Sequence, residues 1–161
     1  MLFSKIKTKK QKNFDIYSPV DGEVVNITKT NDPLFKDEAL GKGVGITAVK
    51  DTILSPANGT ISTFFPTKHA IGITTEDGAE ILIHVGIDTV ELEGKYFTAL
   101  KKQGEAVKLG DPLLNVDFKS IKNGGYDPTV MLVVTNTAEF TSVSIREGYK
   151  TLSDVVINIQ R

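Results

Sequence analysis

Along most of this chain, apolar and polar residues alternate in short runs that Gly, Pro, Asn or Asp interrupt every few positions, which is the pattern of strands and turns. The clearest run is ILIHVGI, residues 81–87. Ile81, Ile83, Val85 and Ile87 share one parity and Leu82, His84 and Gly86 the other, so a strand that buries the first set presents His84 outward. The preceding run HAIGITT, residues 69–75, is also β-branched, and Glu76, Asp77 and Gly78 read as a tight hairpin between the two. With Asp77 and Gly78 as a two-residue loop, His69 lies opposite Gly86 and His84 opposite Ile71. That register makes the histidines diagonal neighbours on one face, about 7–8 Å apart. A three-residue loop would put them on opposite faces.

Elsewhere the chain repeats itself. Ser18-Pro-Val-Asp-Gly-Glu-Val returns as Ser55-Pro-Ala-Asn-Gly-Thr-Ile, and Val44-Gly-Ile-Thr returns as Ile71-Gly-Ile-Thr. Each Ser-Pro-x-x-Gly unit reads as a turn entering a strand, and two echoes in the same order predict a duplicated β motif. A third turn and strand begin at Gly104 and Lys108-Leu-Gly-Asp. Residues 128–135 and 155–159 supply strands that close the sheets, and the loop KNGGYD, residues 122–127, reads as a mobile connection. The one stretch with helical character, residues 96–103, is weak. The expected fold is all-β, an antiparallel β-sandwich with an internally duplicated motif.

At 161 residues the chain suits one domain, which at this size buries about 70% of its unfolded surface. It contains no cysteine, which removes disulfides and thiol chemistry and fits a cytoplasmic setting. No apolar run approaches the ~20 residues of a membrane span. Lys5, Lys7, Lys9, Lys10 and Lys12 lie in residues 1–13, where there is no acid; of 19 bases in all, 14 remain beside 20 acids, so the body carries about −6. A basic protein partner suits such a body and nucleic acid does not. The expected organisation is a basic flexible tail, residues 1–13, followed by one domain, residues 14–161. Leu2, Phe3 and Ile6 would give the tail a small apolar face, and with the lysines a weak contact to an anionic membrane surface, if it formed a helix; a solvated tail is the plainer reading.

The two histidines are the only ones in the chain. Three roles are open to them: surface decoration, two ligands of a zinc site, or a nucleophile with a positioning partner. A zinc-dependent hydrolase needs a third protein ligand, and only carboxylates such as Asp88 are near in sequence. Phosphoryl chemistry fits better. A neutral imidazole is a good nucleophile near its ordinary pKa of ~6.5, and Gly86 leaves room beside His84.

Phe65-Pro-Thr-Lys-His-Ala followed by Leu82-Ile-His-Val-Gly-Ile-Asp-Thr-Val-Glu-Leu resembles the glucose-type enzyme IIA components of the phosphoenolpyruvate-dependent sugar phosphotransferase system. The turns at Ser18-Pro-Val-Asp-Gly, Gly41-Lys-Gly-Val-Gly-Ile and Lys108-Leu-Gly-Asp extend the likeness over residues 14–161. The resemblance implies a phosphocarrier without cofactor or metal. His84 matches the phosphorylated histidine, His69 the histidine that hydrogen-bonds the phosphoryl group, and Thr67 the hydroxyl that orients His69. Asp32 and Asp88 match acids that meet the donor, the phosphocarrier HPr. Phe35, Ala39, Leu40, Phe65, Leu82 and Val90 match an apolar apron contacted by partners. The implied acceptor is a cysteine on the IIB domain of a sugar permease. Lys42, where the best-known branch has an acid, and Ala39, where it has a larger aliphatic residue, depart from that branch, so its regulatory partners are not implied. A lipoyl-like carrier, the remaining reading of the Gly-Asp turn, would need a lysine displayed at a hairpin tip, and that region offers no obvious one.

Overall fold

The computed structural model describes residues 12–161, so most of the lysine-rich segment lies outside the described residues; Asn13 already belongs to the first strand. Fourteen strands follow: β1 (Asn13–Tyr17), β2 (Gly22–Asn26), β3 (Lys42–Ala48), β4 (Thr52–Leu54), β5 (Gly59–Phe64), β6 (Ala70–Thr75) and β7 (Glu80–Val85). The rest are β8 (Phe97–Ala99), β9 (Ala106–Val107), β10 (Pro112–Val116), β11 (Val130–Val134), β12 (Ser142–Ile145), β13 (Gly148–Lys150) and β14 (Val155–Gln160). Two short helices, α1 (Pro33–Lys36) and α2 (Phe118–Asn123), interrupt them. All strand pairings are antiparallel. An eight-stranded sheet runs β13-β2-β3-β11-β7-β6-β5-β9, and two three-stranded sheets run β1-β14-β12 and β4-β10-β8. The expected sandwich is what the chain forms. Among the described residues no helix is long and apolar enough to cross a membrane.

The main core lies between the large sheet and the two small ones. Ile71, Ile73, Ile81, Ile83 and Val85 meet Ile16, Ile53, Leu113, Leu114, Ile157 and Ile159 there, all at most 2% exposed. Burying each such side chain contributes about 1.5–3 kcal/mol. The parity read from residues 81–85 is therefore the observed one. Ile87 departs from it: beyond Gly86 the chain reverses, and Ile87 packs on the opposite face with Ile27, Phe35, Met131 and Val133. Strand β11 is buried on both sides, because Val130, Leu132 and Val134 enter the main core while Met131 and Val133 enter this second cluster.

The duplication is visible atom by atom. Ser18 Oγ donates to the Val20 carbonyl at 2.7 Å and Ser55 Oγ to the Ala57 carbonyl at 2.7 Å. The two turns also bond to each other, Tyr17 N–H to the Pro56 carbonyl at 3.0 Å and Leu54 N–H to the Pro19 carbonyl at 2.8 Å. Both glycines that follow, Gly22 and Gly59, open a strand where a Cβ would overlap the facing carbonyl of Thr47 or Thr74. A third echo joins them. Lys108-Leu-Gly-Asp and Thr151-Leu-Ser-Asp both turn their aspartate back onto the first residue's N–H, at 2.9 Å in each case.

Three expectations are corrected. Residues 96–103 form β8 and turns, with no helix, since Phe97 is needed in the core and pairs with Val116. The segment 122–127 is more than a mobile connection: it starts in α2 and ends tied to the turn after β7 through Ile87 N–H to the Asp127 carbonyl at 2.9 Å. The hairpin between β6 and β7 has a three-residue loop, pairing Thr74 with Glu80 and Ala70 with His84. Gly78, at φ +98°, takes the left-handed position that such a loop needs.

Candidate functional site

Strand β7 presents Glu80, Leu82 and His84 on its outer face. His84 is flanked by Ala70 on β6 and Met131 on β11, one side chain small and the other fully buried. Alternation alone would send His69 to the core side, since it adjoins Val85. It escapes because β6 begins only at Ala70. Residues 65–69 form a turn closed by Lys68 N–H to the Phe65 carbonyl at 2.7 Å, with Lys68 at φ +64°. His69 is a bend residue rather than a strand residue, and its ring swings to the outer face. The histidines thus converge as expected, although the register is the one that was expected to separate them.

The two rings stand 4.9 Å apart between centroids at 86°. Phe35 lies 5.1 Å from His84 and Phe65 5.5 Å from His69, all within the range of favourable edge-on aromatic contact. Thr67 Oγ1 is 2.8 Å from His69 Nδ1, which leaves Nε2 of that ring to face outward. In His84 it is Nδ1 that is buried, without a hydrogen bond, so Nε2 is the nitrogen available to a reactant.

Both imidazoles are held neutral near pH 7. Burial, and next the neighbouring His84, lower the pKa of His69 from 6.5 to about 4. Burial also lowers that of His84, while the Gly86 backbone, Asp32 and Asp88 each work in the opposite direction. Asp32 is itself fixed: it caps α1 by accepting the Leu34 N–H at 2.9 Å. Asp88 is exposed and left-handed at φ +61°. Among the described residues no group of three or more His, Asp or Glu side chains could hold a metal ion.

The apolar residues expected around the pair fall into two sets. Phe65 and Val90 are exposed at 39% and 50% and form a rim, with Ala39 exposed on the connector after α1. Phe35 does not belong to that rim: at 1% exposure it is the floor under His84, with Leu40 and Leu82 half-buried against it. The reason is position in α1, which turns Phe35 inward and its neighbour Leu34, 57% exposed, outward. Leu34 was missed by sequence reasoning, though an apolar residue just after an Asp-Pro helix start was there to be read. Asn31, Asp127 and Thr129, which hold the turn behind His84, carried no local signal.

Residues 14–140 match the family of the phosphoenolpyruvate-dependent sugar phosphotransferase system, EIIA 1. The glucose-specific EIIA component of Staphylococcus epidermidis is 39% identical over 146 residues, covering 91% of this chain and 87% of that protein. The beta-glucoside-specific EIIBCA component of Bacillus subtilis is 46% identical over 132 residues, 82% of this chain but only 22% of that longer protein. The solved glucose permease IIA from Mycoplasma capricolum superimposes with a TM-score of 0.82 at 33% identity, covering 94% of this chain and 99% of that one. With the same fold and with matches that span the histidine pair, the chain belongs to the EIIA 1 family of the phosphoenolpyruvate-dependent sugar phosphotransferase system.

Proposed function

We propose that this protein is the phosphocarrier of a glucose-type sugar phosphotransferase system, accepting a phosphoryl group from phospho-HPr on His84 and passing it to the IIB domain of a sugar permease. The observation that carries this reading is the pairing of two neutral imidazoles, ring against ring at 4.9 Å, each with its Nδ1 turned into the protein. The Nε2 lone pair of His84 attacks phosphorus as the bond to the donor's imidazole nitrogen breaks. The donor leaves as neutral histidine, and the proton on His84 stays at Nδ1. With the Thr67 hydroxyl donating to Nδ1, His69 carries its proton on Nε2 and offers it to the phosphoryl oxygens. In a loose phosphoryl transition state, such a positioned donor holds the charge on the equatorial oxygens.

Asp32 and Asp88 suit a basic donor surface, and the rim of Phe65 and Val90 suits apolar contact with either partner. The EIIBCA relative, named for three components in one chain, supports a IIB-type acceptor. Residues 14–161 act as one IIA domain working in the cytoplasm. The test is incubation with phosphoenolpyruvate, enzyme I and HPr followed by intact mass. The wild type gains one phosphoryl mass and His84→Gln gains none; equal labelling of the variant would overturn the assignment.

A further inference from the structure

Phosphoryl transfer through His84 needs its ring held with Nδ1 inward, and β7 cannot do this alone because the strand ends at Val85. The chain then reverses through Gly86 at φ +83° and Asp88 at φ +61°. Two backbone donors of this reversal, Gly86 N–H and Ile87 N–H, reach the carbonyls of Thr129 at 2.8 Å and Asp127 at 2.9 Å. Both acceptors lie in the segment entering β11.

One side chain closes that segment. Asp127 Oδ1 accepts from Thr129 N–H at 2.9 Å and from Thr129 Oγ1 at 2.6 Å, while Oδ2 accepts from Asn31 Nδ2 at 3.2 Å. Asn31 adjoins Asp32, the cap of α1, and α1 carries the Phe35 ring that rests on His84. Burial works against the charge on Asp127, but the Thr129 hydroxyl and amide and the Asn31 amide outweigh it and hold the carboxyl below its ordinary range. These partners are all neutral donors, two on the nearby Thr129 and one on the distant Asn31, so the carboxylate is spent on geometry rather than on an ion pair.

We propose that Asp127 is a positioning residue for phosphoryl transfer, its carboxylate clasping the turn after His84 to the entry of α1 so that the His84 ring and the Phe35 floor move as one body. This rests on the reading of His84 as the phosphoryl acceptor. Asp127 touches neither ring and acts through the backbone it fixes. The turn has no slack to absorb a shift: a Cβ on Gly86 would overlap the Thr89 methyl and come within 3.2 Å of the Asp127 carbonyl, and Thr89, fully buried, donates its hydroxyl to the Val85 carbonyl. A displacement of residue 127 is therefore transmitted through its hydrogen bond to Ile87, and through Gly86, to the backbone that carries His84.

The experiment compares Asp127→Ala, Asp127→Asn and Asn31→Ala with wild type by three measurements: the rate of phosphoryl uptake from phospho-HPr, the ring ¹⁵N signals of both histidines without phosphate, and thermal melting. Asp127→Ala is expected to slow uptake by about 10–100-fold and to shift the His84 signals, leaving those of His69, held by Thr67, in place. Asp127→Asn is expected to stay within about threefold of wild type, because its amide oxygen still accepts from Thr129 and its amide nitrogen can donate to an Asn31 side chain turned over. Asn31→Ala, at an exposed position, cuts only the tie to α1 and is expected to slow uptake by about three- to tenfold, which keeps the test decisive if Asp127→Ala does not fold. Uptake and His84 signals unchanged in both alanine variants would overturn the proposal, as would an uptake loss that merely follows the unfolded fraction. Failure of the phosphocarrier reading looks different: the wild type itself would take no phosphoryl group at His84, whatever the ring signals show.

Discussion

In one half of the eight-stranded sheet, β2 reaches β3 through residues 27–41; in the duplicated half, β5 reaches β6 through residues 65–69. The strands they join correspond closely. Gly45 pairs with Met131 and Gly72 with Leu82, so two residues further along Val133 occupies in β11 the place that His84 occupies in β7. Their surroundings differ because the connectors differ. The long connector folds Ile27 and Phe35 over Val133 and leaves it fully buried. The short one cannot cover the outer face; it delivers His69 and Thr67 to the side of His84 and leaves that ring half-exposed. A common framework thus provides two equivalent outer positions, and connector length decides which becomes floor and which becomes reactive. The long connector serves both halves, since its Phe35 lies against His84 as well.

This contrast makes the two connector phenylalanines unequal. Phe35→Ala should cost about 3–5 kcal/mol as a fully buried truncation, whereas Phe65→Ala, at a 39% exposed site, should cost less than about 1.5 kcal/mol. Equal losses in urea denaturation would erase the distinction between floor and rim. A more direct challenge is Val133→His in a His84→Gln background. The new imidazole would sit under Phe35 and Ile27 without a partner, at a cost of about 2–4 kcal/mol, and phosphoryl uptake should remain absent by intact mass. Recovered uptake would mean that the framework, not the connector, confers reactivity.

His69→Gln probes what the short connector contributes to the chemistry. Uptake at His84 should survive, since the nucleophile remains and an amide still donates one hydrogen bond. Transfer onward to a IIB domain should fall by about 10–100-fold, equivalent to about 1.4–2.8 kcal/mol of barrier. Equal loss of both steps in parallel with bound zinc would instead favour a metal-dependent reading. The same substitution has a smaller effect on stability, visible in its pH dependence. His69 titrates at about 4 when folded against 6.5 as its ordinary value, so the unfolded chain binds the extra proton between these limits. Its neutral burial is tolerated fully above pH 6.5, and stability declines as pH falls from 6.5 towards about 4. His69→Gln should flatten that decline by up to one proton's worth of slope while His84, shifted in the same direction, keeps the remainder. Urea titrations at several pH values would read this, and an unchanged slope would contradict the buried, neutral state of His69.

The faces of β7 were legible because period-2 alternation is a local property: burying Ile81, Ile83 and Val85 leaves His84 no other side. The duplicated turns were legible because Ser, Pro and Gly are chosen for their own backbone and side-chain geometry, and the same Ser-to-carbonyl bond forms in both. The hairpin register was not, since Asp-Gly serves a two-residue loop and the tail of a three-residue loop alike. That the histidines meet nonetheless depends on where β6 begins, one residue after His69.

By itself, then, the amino-acid sequence determined the strand content, the side on which His84 stands, the repeat, and the pairing of two lone histidines with Thr67 in a motif that resembles a known family. Only the tertiary structure decided that Phe35 is floor and Leu34 rim, that Ile87 crosses to the outer face, and that Asp127 reaches Asn31 across 96 positions of the chain. Alternation and turn preference act between neighbours and leave a trace in neighbouring letters. Which distant segments satisfy one another's buried polar groups and close over one another's apolar faces depends on how the sheets pack, and no local pattern encodes that.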